Sequence, residues 1–236
     1  MAKTLVQEQF GKTAASYLTS TPHAKGKSLE RLIDLVQPKK DWRVLDVATG
    51  GGHVAYIFAP HVARVWATDI TDEMLDVVRS EAAKRSLDNV RTAYAKAEAL
   101  PFDDASFDAA ISIWTHTDID DFAAAVTAVA RVLRPGAPLV YIGAHPCFVG
   151  PHSLYVSAEG VPELSAGYRR TGRYDGSAFG VGNPDGVRIR VGGVHLTLGA
   201  LFDAFTSAGF VVERFEELAR ERDYPHALAL RARAAT

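Results

Sequence analysis

Apolar and polar positions along the chain alternate between two periods. Short runs rich in β-branched and apolar residues recur at Arg43–Val47, Arg64–Thr68, Val90–Tyr94, Ile111–Trp114 and Leu139–Gly143. Each reads as a buried strand. Between them lie stretches with helical spacing. One is His53–Phe58. The next is capped by Thr71 and carries Met74, Leu75, Val78 and Ala82. The third is capped by Asp118 and carries Phe122, Val126, Val129 and Leu133. Two helices precede this core, one over residues 3–18 and one from Thr21-Pro22 to about Val36, where Pro38 stops it. After the fifth strand the rhythm breaks. Residues 144–194 are rich in proline and glycine, with a turn of helix expected near Ala158–Tyr168 and a strand at Val187–Val191, where valine and isoleucine alternate with arginine. Thr197 then caps a helix from Leu198 to Ala208, Gly209 ends it, and Phe210–Phe215 and Ala227–Ala232 close the chain as two strands.

This order predicts a single α/β domain over 1–236. Residues 1–37 form its leading helices, 42–143 its core, 144–195 an insertion, and 196–236 a helix and a hairpin. An insertion after the fifth strand belongs above the carboxyl ends of the strands, where open α/β sheets bind ligands, and so reads as a substrate cap.

Composition narrows the picture. Apolar residues make up 47% of the 236 residues, charged residues 23%, and the net charge is −2. No global field favours nucleic acid or an anionic membrane, and no stretch approaches the roughly 20 apolar residues that span a bilayer. Cys147 is the one cysteine, which excludes an intrachain disulfide and fits a reducing cytoplasm. The first residues lead into polar ones, not into the apolar core of a signal peptide.

The chemistry concentrates at Val44–Val54. A buried strand runs into Gly50-Gly51-Gly52 and then into a helix whose free amides point back at the turn. Consecutive glycines let a ligand lie against the main chain. Asp46 stands near the end of this strand, and Asp69 ends the next, where a carboxylate accepts hydrogen bonds from ribose hydroxyls. A tight strand-to-helix turn is the plain alternative, and the two flanking acids weigh against it.

Asp46, Gly50 and Gly52, with Ala48 in place of a first glycine, resemble motif I of the class I S-adenosylmethionine-dependent methyltransferases. Two further segments carry the resemblance: Ala97-Glu98-Ala99-Leu100-Pro101-Phe102, and the phrase Arg131, Leu133, Arg134, Pro135, Gly136. The resemblance runs from about Phe10 to Gly143 through these three motifs, and it is to the ubiquinone/menaquinone-biosynthesis type of small-molecule methyltransferase. The resemblance implies a doubly wound, Rossmann-like sheet of seven mostly parallel strands with one antiparallel strand, and N-terminal lid helices. It implies S-adenosylmethionine as cofactor and S-adenosylhomocysteine as product. The cofactor contacts it implies are Asp46, Ala48, Thr49, Gly50, Gly52, Asp69, Ile70, Met74, Ala97, Glu98 and Ile113, with Phe10 and Tyr17 from the lid. The chain departs from the pattern at Lys96, where the family has an aspartate that accepts from the adenine amino group; lysine has donors only. The implied partner is a small molecule, with no nucleic acid and no membrane, and the protein a monomer or homodimer.

Two other functions stay open. Gly50-x-Gly52-x-x-Ala55 also fits the dinucleotide fingerprint of a nicotinamide oxidoreductase, although Asp46 would repel a pyrophosphate. A protein that binds S-adenosylmethionine without transferring its methyl is the other.

Methyl transfer from a sulfonium needs placement above all, and a base where the acceptor is a hydroxyl. Among the eight histidines, His116 and His145 leave strands four and five at their carboxyl edge and are the first candidates, followed by His195 and His152 at the cap. His53 reads as shaping the glycine turn. No spacing suggests a metal site. Arg169, Arg170, Arg173, Arg188 and Arg190 gather in the insertion, either as solvated charges or as a grip for an anionic acceptor.

Overall fold

A computed structural model describes residues 4, 7–11, 27–155, 160–182, 184, 186–218 and 223–235. A seven-stranded sheet forms its centre, in the spatial order β10-β11-β5-β4-β1-β2-β3. β1 (Arg43–Val47) pairs in parallel with β2 (Arg64–Asp69) on one side and β4 (Ala109–Ile113) on the other, with β3 (Val90–Tyr94) beyond β2 and β5 (Pro138–Ala144) beyond β4. β11 (Ala227–Ala234) runs antiparallel to both β5 and β10 (Phe210–Leu218). The sheet therefore holds one reversed strand, as the resemblance implies.

Alternate residues of the central strand serve two cores. Leu45 and Val47 join Phe122, Val126 and Val129 of α4 (Phe122–Val132) and Leu201 and Phe205 of α6 (Leu198–Ser207). Val44 joins the opposite core with Leu32 and Val36 of α1 (Lys27–Val36), Val54 and Phe58 of α2 (His53–Phe58), and Val78 of α3 (Asp72–Lys84). Helices on both faces bury Val44–Val47 of β1, which is why its sequence does not alternate.

The chain turns back at β1, with β2 to one side and β4 to the other. The crevice of an α/β sheet opens at such a switch point, beyond the carboxyl ends of the strands. Residues 48–52 and 114–121 emerge there. Above them the insertion folds into two small antiparallel pairs, β6 (Ser153–Tyr155) with β7 (Pro162–Leu164) and β8 (Gly172–Tyr174) with β9 (Gly193–His195), plus the short helix α5 (Val187–Val191).

Several local expectations need correction. Val187–Val191 is a helical turn and not a strand. Val187 and Val191 are as well spaced for one helical face as for alternation, and Gly192, at φ +62°, ends the turn. Within Ala158–Tyr168 the described residues hold β7, and 156–159 lie outside the described residues. Asp121, not Asp118, caps α4, accepting from the Ala124 amide at 2.9 Å. Thr71 precedes α3 without a side-chain cap bond; its hydroxyl and amide turn to Asp69. Of the leading helices, residues 7–11 and 27–36 are helical, and the rest of 3–18 and 21–26 lies outside the described residues.

Candidate active site

The glycine turn is tied down by two buried carboxylates. Asp46 is fully buried behind it, accepting from the Thr49 hydroxyl at 2.5 Å and from the Ala55 amide. Burial raises its pKa to about 7, against those two hydrogen bonds, and the nearby Asp69 charge adds to the rise. Asp69 is held from both sides: the Gly50 amide donates to Oδ2 and the Thr71 amide to Oδ1, each at 2.9 Å. Burial raises its pKa too, while these amides oppose the rise.

Two glycines of the turn do different work. At Gly52, with φ +82°, a Cβ would lie 2.6 Å from the Tyr56 hydroxyl oxygen and 2.9 Å from Val78, so packing behind the turn excludes a side chain. At Gly50, with φ +53°, a Cβ would meet nothing within 4 Å, so its bare backbone faces open space. Ala48 occupies the left-handed region at φ +54°, which costs a residue with a Cβ about 1–2 kcal/mol. A glycine would sit there freely.

That open space is a cavity of about 470 Å³. One half is lined by Ala48, Thr49, Gly50, Gly51, His53, Asp69, Ile70, Met74, Lys96, Ala97, Glu98 and Ile113, with Phe10 and Leu29 from the leading helices. The other half comes from the exit of β4 and from the insertion: Trp114, Thr115, Asp118, Ile119, Asp120, Arg173, Arg188 and Val191.

The structure brings together Phe10, Ala48, Thr49, Gly50, Asp69, Ile70, Met74, Ala97, Glu98 and Ile113 around this one cavity. Asp46 and Gly52 do not line the cavity; both lie behind the turn and shape it. Tyr17 lies outside the described residues. Neither histidine expected to be catalytic reaches the cavity wall. His116 is buried against Phe122, its Nδ1 hydrogen-bonded to the Tyr141 hydroxyl. Burial drives its pKa down to about 3, and the charges of His195 and Arg188 push the same way. His145 accepts the Cys147 amide at Nδ1 (3.3 Å), which leaves its proton on Nε2, 3.0 Å from Glu217. Burial lowers its pKa although Glu217 opposes. His195 and His152 pack against one another inside the insertion, 4.9 Å between ring centres and tilted by 55°, with Nε2 atoms on the carbonyls of Tyr168 and Cys147. His53 does line the cavity.

Missed in the sequence were Trp114, Asp118 and Asp120. Arg188 grips both oxygens of Asp118 at 2.7 Å and the Thr117 hydroxyl at 3.1 Å, and Arg173 reaches Asp120. The basic run in the insertion was visible, but its acidic partners lie 53 and 70 residues away.

This sheet and this crevice have the fold of the class I S-adenosylmethionine-dependent methyltransferases. Residues 44–136 match the family described as "Methyltransferase domain". It is 37% identical over 125 residues to an uncharacterized methyltransferase, YcgJ, of Bacillus subtilis, covering 53% of this chain and 49% of that one. It is 37% identical over 114 residues to a demethylmenaquinone methyltransferase of Thermus thermophilus, covering 48% and 51%. The chain thus spans about half the length of these curated relatives. An S-adenosylmethionine-dependent methyltransferase structure from Mesorhizobium loti superposes with a TM-score of 0.70 at 22% identity, covering 89% of this chain and 97% of that one.

The Mesorhizobium loti structure is that of an S-adenosylmethionine-dependent enzyme, and the residues present here fit that cofactor. Gly50 leaves backbone open to the cavity where a Cβ would have room, Asp69 offers acceptor lone pairs beside it, and Ile70, Met74, Ala97 and Ile113 add apolar side chains to the lining. Among the described residues no group of three or more histidine, cysteine or acidic side chains could hold a metal ion, and no helix is long and apolar enough to cross a membrane.

Proposed function

We propose that the protein transfers the methyl group of S-adenosylmethionine to a small-molecule acceptor by in-line attack. The observation that carries this reading is the continuity of the cavity: the half built by the glycine turn and Asp69 opens directly into the half built by the β4 exit and the cap. In this reading Asp69 accepts the ribose hydroxyls. Ile70, Met74, Ala97 and Ile113 hold the adenine, the backbone of residues 48–51 holds the methionyl end, and Phe10 covers the cofactor as part of a lid formed by residues 1–37. The acceptor lies under residues 144–195.

Placement then supplies most of the acceleration, worth about 7–11 kcal/mol when two partners are held in near-attack geometry. No histidine base at 116 or 145 is part of the reading, since both side chains are turned into the protein interior. We take the protein to work in the cytoplasm as a monomer or homodimer, in keeping with its lone cysteine.

Lys96 supports a second reading, in which the protein binds the cofactor without transferring its methyl. Calorimetric titration with S-adenosylhomocysteine, S-adenosylmethionine and nicotinamide cofactors tests the site, and a metabolite-extract screen with isotope-labelled methyl donor tests the transfer. Binding of nicotinamide cofactor with no response to S-adenosylhomocysteine would end both readings. Cofactor binding with no labelled product would leave the second.

A further inference from the structure

Two arginines of the insertion line the acceptor half of the cavity, and they are not equivalent. Arg188 is spent on its surroundings: both Asp118 oxygens, the Thr117 hydroxyl and the Gly192 carbonyl take its N–H groups. The side chains of this pair are only 28% and 22% exposed. Together with the Val194 amide, which donates to the Thr117 carbonyl at 2.8 Å, they brace the cap against the β4 exit.

Arg173 is placed differently. Nε and one N–H of Nη2 both donate to the same oxygen of Asp120, at 3.0 and 2.5 Å, and Nη1 donates to the Val191 carbonyl at 3.3 Å. A guanidinium has five N–H donors, so one on each terminal nitrogen has no partner among the described residues. The pair is exposed, 42% for Arg173 and 75% for Asp120, and an exposed pair opens at little cost. Beside it in the same half lie the apolar side chains of Ile119, Val191 and Trp114. Trp114 is held in the left-handed region at φ +59°, a conformation rare for so bulky a residue and found mostly where structure serves a ligand.

We propose that the molecule bound in this half is an organic acid with an apolar body. Its carboxylate takes the two terminal N–H groups of Arg173, a fork that matches carboxylate geometry, and Trp114, Ile119 and Val191 receive the body. Asp120 holds the guanidinium in place until the acid arrives and competes with it thereafter. That this acid is the methyl acceptor rests on the methyltransferase reading; its recognition by Arg173 does not.

The test is a titration of the protein, with and without saturating S-adenosylhomocysteine, with benzoate, cinnamate and indole-3-acetate and with their primary amides. The acids should bind about tenfold more tightly than the amides. Arg173→Gln should erase that preference, and Asp120→Asn, which removes the competing anion, should tighten the acids. If the two side chains are only a surface ion pair, the preference for acids over amides survives Arg173→Gln and the proposal falls. It falls equally if acids and amides bind alike or neither binds. A protein that ignores S-adenosylhomocysteine yet prefers the acids through Arg173 would overturn the methyltransferase reading and leave this one standing.

Discussion

Gly50 and Asp69 are joined across the mouth of the crevice, the amide of one donating to the carboxylate of the other at 2.9 Å. The bond couples the turn after β1 to the end of β2, so the acid proposed to bind ribose also fixes the backbone on which the cofactor would lie. Asp69→Ala should therefore do two things. S-adenosylhomocysteine binding should weaken by about 1.5–3 kcal/mol, the range for a hydrogen bond to a charged group. The melting temperature should fall as well, because the Gly50 and Thr71 amides lose their acceptor. Calorimetry and thermal melting read the two effects separately. Unchanged affinity in a variant that melts early would make Asp69 a purely structural residue.

This double role also shows what the sequence can and cannot reveal. The strands of the core, the glycine turn and the half of the cavity beside that turn were legible because each depends on neighbours within a few residues: buried runs, glycines, an acid at a strand end. The acceptor half depends on contacts distant in sequence. His116 leaves the carboxyl edge of β4 as expected, but its side chain meets Tyr141, 25 residues on, and is drawn into the core. Asp118 and Asp121 both stand before α4, and local pattern does not say which caps it. The answer came from Arg188, which claims Asp118. Five residues of alternating valine, isoleucine and arginine are too short to separate a helical turn from a strand.

Asp46 gives a pH dependence with a defined sign. Its pKa is raised from the ordinary carboxylate range to about 7 in the folded state. The folded protein thus holds a proton that the unfolded chain releases near pH 4, and stability falls as pH rises through the window between those values, by on the order of 4 kcal/mol in all. Asp46→Asn removes the buried charge and keeps an acceptor for Thr49 or Ala55. The variant should melt several degrees above the parent at pH 8, and the gain should shrink at pH 4.5. A gain of equal size at both pH values would mean that Asp46 is not the group titrating.

His116 should act in the opposite sense. Its folded pKa lies near 3, below the ordinary histidine value, so the unfolded chain takes up the proton first. Stability contributed by the neutral ring is present at pH 7 and lost as pH falls, by about 2 kcal/mol on reaching pH 5. His116→Asn keeps an acceptor for the Tyr141 hydroxyl and removes the titration. Urea midpoints at pH 7.5 and pH 5 should differ less in the variant than in the parent. Methyl transfer should keep its pH profile. A loss of kcat of a hundredfold or so, the scale of general-base catalysis, at unchanged stability would return His116 to the role of base.

Lys96 tests the alignment of the adenine slot. It lines the cavity beside Ala97 and Glu98, and its side chain is exposed. Its ammonium has only donors, as has the adenine amino group, so the two gain nothing by meeting. Burying an unpaired ammonium in the slot would cost far more than one lost hydrogen bond, and the flexible stem lets the charge stay in water. Lys96→Asp places an acceptor at the rim where the donor stood. S-adenosylhomocysteine should then bind more tightly, by about 1 kcal/mol, and the S-inosyl analogue, whose base carries an acceptor in place of the amino group, should not share the gain. Weaker binding of S-adenosylhomocysteine on this change would mean that the ammonium contributes to the bound state. The base would then lie elsewhere than between Ile70, Met74, Ala97 and Ile113.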